Sequence, residues 1–76
     1  MDSLDRITVN PAVMGGRPCI RGMRVTVGMI VNNIAGGISE EKILTSYPYL
    51  EREDIRQALR YAARLCNVRE VPIPAA

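Results

Sequence analysis

The chain has 76 residues, a net charge of +2 and 47% hydrophobic residues, with no Phe and no Trp. One domain fits this length, and its aliphatic core is small. A chain this short buries only about 60% of its unfolded surface, so dimerisation is one expected remedy. Histidine is absent, the two cysteines are far apart, and no apolar run nears the roughly 20 residues of a membrane span. These features argue against a disulfide framework, a histidine catalyst and a spanning helix. No stretch reads as a signal peptide, so the expected compartment is the cytoplasm.

The expected fold class is mostly α with a small β-hairpin: a helix-turn-helix-like three-helix domain preceded by short strands. One domain is expected over residues 1–76, with a flexible start over 1–5, a globular core over 6–67 and an extended or flexible tail over 68–76. Residues 6–9 alternate, with Ile7 and Val9 on one face, and read as a short strand that Asn10-Pro11 breaks. Gly15-Gly16 marks a second turn, either a plain connection or an anion-binding nest.

Residues 15–27 are the organising stretch and predict a tight hairpin. Gly22-Met23 is expected as its two-residue loop, of type II′ with glycine first. That register sets Arg21 opposite Arg24, Ile20 opposite Val25 and Cys19 opposite Thr26. It places Ile20, Val25 and Val27 on the apolar face and Cys19, Arg21, Arg24 and Thr26 on the other. Two facing arginines repel. Either they splay apart in solvent or something anionic lies over them, a phosphate or a partner's carboxylates.

Thr26 caps a predicted helix over 27–35, with Ile30, Val31 and Ile34 on its apolar face and Gly36-Gly37 ending it. Ser39 starts the next helix, Glu40 and Glu41 favour its dipole, and Pro48 stops it. Ile43, Leu44 and Tyr47 are its buried side. A third helix is predicted over 52–66, with Ile55, Leu59, Ala62 and Cys66 as the core stripe. Glu53 and Asp54 lie in its first turn. The last two helices read as a helix-turn-helix or as a plain αα-hairpin.

Charge is unevenly distributed. From position 6 to position 39 there are four arginines and no acid, and nine of the ten basic residues are Arg. Arginine suits planar recognition of phosphate and carboxylate. On the third helix Arg52, Arg56, Arg60 and Arg64 recur every fourth residue, offset from the core stripe. This ladder is either a solvated outer face or a strip for duplex DNA.

The segments Ile-Thr-x-Asn-Pro, Gly-Gly-Arg-Pro-x-Ile-Arg-Gly-x-Arg-Val, Gly-x-Ser-Glu-Glu-x-Ile-Leu, Tyr-Pro-x-Leu and Glu-Asp-Ile-x-x-Ala-Leu-x-Tyr-Ala recur through the stretch from about residue 6 to about residue 63. Together they resemble the small bacterial domain-of-unknown-function family numbered 433. The resemblance implies a helix-turn-helix-like fold. From its characterised relatives it implies the role of VapB-type antitoxin in a type II toxin–antitoxin pair, with a PIN-like ribonuclease as partner. The family often has Thr at the position of Met23, and Thr, Ser or Asp, which are better N-caps, at that of Glu51.

Catalysis is not expected, because no nucleophile has a base nearby in sequence and no metal-ligand spacing occurs. No cofactor and no metal are expected. The leading reading is an antitoxin that neutralises its toxin and binds its own operator DNA as a homodimer. Arg52, Arg56, Arg60 and Arg64 are its DNA-binding candidates. Arg17, Arg21, Arg24 and Arg69 are its partner-binding candidates, one of them entering the toxin's carboxylate cluster. The alternative is a dimeric protein-interaction module without DNA binding.

Overall fold

The computed structural model describes residues 4–67. In order they form strand β1 (Ile7–Thr8), a 3-10 turn (Met14–Gly16), strand β2 (Cys19–Ile20) and three helices: α1 (Val27–Ala35), α2 (Glu40–Ser46) and α3 (Arg52–Asn67). The fold is three helices with a small antiparallel two-stranded sheet ahead of them. Strands β1 and β2 pair with Ile7 opposite Ile20 and Thr8 opposite Cys19. Thr26 bridges to Cys19 on the other edge of β2.

Local chemistry sets the helix ends. The Thr26 hydroxyl accepts from the Met29 amide at 3.0 Å, which caps α1. Its other end is a Schellman closure. Gly37, at φ +89°, donates to the Ile34 carbonyl, and Ile38 donates to that of Asn33, both at 3.0 Å. Ser39 caps α2 by accepting from the Lys42 amide at 3.1 Å. The α2–α3 connection closes where Leu50 donates to the Tyr47 carbonyl at 2.9 Å.

Four isoleucines make the centre, one from each packed element: Ile20 of β2, Ile30 of α1, Ile43 of α2 and Ile55 of α3, each 2% exposed or less. Burying such a side chain contributes about 1.5–3 kcal/mol, so these four hold the elements together. Val25, Val27, Leu50 and Ala58 complete the same cluster.

Several expectations are corrected here. The tight turn falls on Arg21-Gly22 rather than Gly22-Met23, inside a loop over residues 21–24. The Met23 amide donates to the Ile20 carbonyl at 2.8 Å, and both central residues have positive φ, +46° and +72°. That is the signature of a type I′ turn rather than II′. The expected register holds outside that loop: Cys19 lies opposite Thr26, and the Ile20 amide donates to the Val25 carbonyl at 2.9 Å. Cys19, on the hairpin face away from Ile20, is buried as a small apolar residue would be: it is 1% exposed and its thiol donates to the Arg17 carbonyl. The Gly15-Gly16 segment is a connecting turn, with the Gly16 and Arg17 amides bonded to the Val13 and Met14 carbonyls.

The stripe on α3 is also shifted. Ile55 and Ala58 are fully buried, Leu59 and Ala62 partly, and Cys66 is exposed. Helix length explains this. At 1.5 Å per residue, the nine residues of α1 span about 13 Å and the sixteen of α3 about 24 Å, so α1 cannot cover all of α3. The last turns of α3 run past the helix that packs on it.

Candidate functional site

The anion required over Arg21 comes from within the chain. It is Asp54, in the first turn of α3 and 0% exposed. Its Oδ1 accepts from Arg21 Nε at 3.1 Å and from Arg6 Nη1 at 3.1 Å. Its Oδ2 accepts from Arg21 Nη2 at 2.8 Å and from the Glu51 amide at 2.7 Å. Arg21 thus grips the carboxylate with two parallel donors, the strongest common form of this pair. Arg6 Nη1 also donates to Glu51 Oε1 at 2.6 Å, and Arg21 Nη2 to the Tyr49 carbonyl at 2.8 Å.

This arrangement performs three tasks. It fixes Arg21, a residue with a Cβ, in a left-handed turn conformation that costs about 1–3 kcal/mol unless its surroundings enforce it. It joins the start of β1 and the hairpin turn to α3. It also caps α3 from inside, as the reciprocal half of a capping box reaching back to the Glu51 amide. The weak cap at Glu51 is offset in this way, and α3 begins at Arg52.

Burial alone would push the Asp54 carboxyl up. The bonds from Arg21, the Glu51 amide and Arg6 outweigh it and hold the pKa below the ordinary carboxylate value. Both guanidiniums shift upward, Arg21 through its bond to Asp54 and Arg6 through its bond to Glu51. Gln57 extends the network. Its Oε1 accepts from the Arg6 amide at 2.9 Å, and its Nε2 donates to Asp5 Oδ1 at 2.9 Å and Glu53 Oε2 at 3.1 Å. Among the described residues no buried side-chain polar atom lacks a partner.

The sequence reading placed Asp54 only at the helix dipole and missed this role. Two signals were available: an acid three residues ahead of Gln57 on the inward side of the helix, and an arginine-rich segment with no acid of its own.

The arginine ladder lies on the outer side of α3, with Arg52, Arg56, Arg60 and Arg64 all exposed. It is not uniform. Arg52 pairs across to α2, with Glu40 at 2.8 Å and Glu41 at 3.3 Å. Arg56 lies 3.8 Å from Glu53 on its own helix and keeps 70% of its side chain exposed. Acids therefore crowd one end of the strip, and residues 55–67 contain three arginines and no acid. Arg52, Arg56 and Arg60 line a shallow groove with Glu40 and Leu59. Of the partner candidates, Arg17 and Arg24 are exposed, Arg21 is engaged by Asp54, and Arg69 lies outside the described residues.

Among the described residues no group of three or more His, Cys, Asp or Glu side chains is placed to hold a metal. No described helix is long and apolar enough to cross a membrane.

Comparison with known proteins follows the same residues. The family DUF433, described as a protein of unknown function, matches residues 7–62. The uncharacterized protein y4eO of Sinorhizobium fredii (strain NBRC 101917 / NGR234) is 41% identical over 56 residues. The match covers 74% of this chain and 25% of that protein, so the chain spans about a quarter of the length of this curated relative. A solved DUF433 member from Anabaena variabilis ATCC 29413 is similar in structure, with a TM-score of 0.75 at 32% identity over 78% of this chain and 58% of the other.

Proposed function

This chain belongs to the DUF433 family, and on that premise we propose that it is the antitoxin of a type II toxin–antitoxin pair. It acts by binding rather than by catalysis. As a homodimer it binds its own operator DNA along α3, and it neutralises a PIN-like ribonuclease. The observation that carries the DNA reading is the row of exposed arginines on the outer side of α3, in a fold whose α2–turn–α3 unit is helix-turn-helix-like. Arginine at every turn suits phosphate contact and guanine readout. The exposed Arg17 and Arg24 suit the carboxylates of a nuclease partner, and Arg21 reaches such a partner only by leaving Asp54.

A mobility shift with the chain's own promoter at two salt concentrations tests the DNA reading. Arg56→Gln should flatten the slope of log K against log salt by about one unit if Arg56 contacts phosphate. It should relax specificity at one position if it contacts a base. Equal binding by wild type and variant at both salts removes Arg56 from the interface.

One observation favours the second reading, a dimeric protein-interaction module without DNA binding. Glu40, Glu41, Glu51 and Glu53 surround the start of α3, the end that commonly enters the major groove, and Arg52 is paired with two of them. No shift by the wild type at low salt selects that reading.

A further inference from the structure

We draw no further inference here: the strongest candidate, the surface patch that Leu65 and Tyr61 form on the C-terminal turns of α3, is an unpartnered apolar face, and nothing in the structure shows what covers it.

Discussion

Asp54→Asn keeps the side-chain volume at the base of α3 and removes its charge. The buried carboxylate receives four hydrogen bonds, three of them from Arg6 and Arg21. Breaking a fully buried pair costs about 3–5 kcal/mol, whereas an exposed pair contributes about 0–1. Here the acid is sealed, and the Arg6 and Arg21 side chains are 28% and 39% exposed, so water screens one side of each pair. The expected loss lies between the limits, about 2–3 kcal/mol. In a domain of this size that lowers Tm by roughly 10–20 °C. Urea unfolding monitored by circular dichroism measures it directly. Arg21→Met should lose a similar amount, and the double variant should lose less than the sum, because both substitutions break one pair. A loss below about 0.5 kcal/mol, or strict additivity, would refute the view that this pair joins the hairpin to α3.

The same group sets the acid response. Its folded pKa is depressed, so its contribution is present above the unfolded carboxylate value near 4 and is lost as pH falls through the lower folded value. Wild-type stability should therefore drop below about pH 4 more steeply than that of Asp54→Asn, as pH-dependent melting would reveal. Gly37→Ala should cost about 1 kcal/mol or more by denaturant titration, since φ is +89° there, and no atom lies within 4 Å of the added methyl to clash with it. Arg52→Ala should change stability by less than about 1 kcal/mol despite two ion pairs, because that side chain is 58% exposed. Sedimentation at micromolar concentration should show twice the chain mass; a cooperative, stable monomer would argue against the dimer.

What the sequence determined by itself is what depends on near neighbours. Thr26, Ser39 and the Gly36-Gly37 pair mark helix ends because a cap is made within four residues, and the three helices lie where those signals put them. The Cys19–Thr26 register followed from alternation over a short hairpin. The family was legible for the same reason: its motifs are turns, caps and short apolar stripes.

Tertiary structure decided the rest. The turn moved to Arg21-Gly22 because the Arg21 side chain is held by an acid 33 residues away, which no local rule contains. Asp54 became a buried anchor rather than a dipole ornament because β1 and the hairpin deliver two guanidiniums to it. Arg52 met its acids on α2, not on its own helix. Cys66 and Leu65 emerged into solvent because coverage depends on the relative lengths of packed helices, about 13 Å against about 24 Å, while periodicity along one helix reports only which side faces inward.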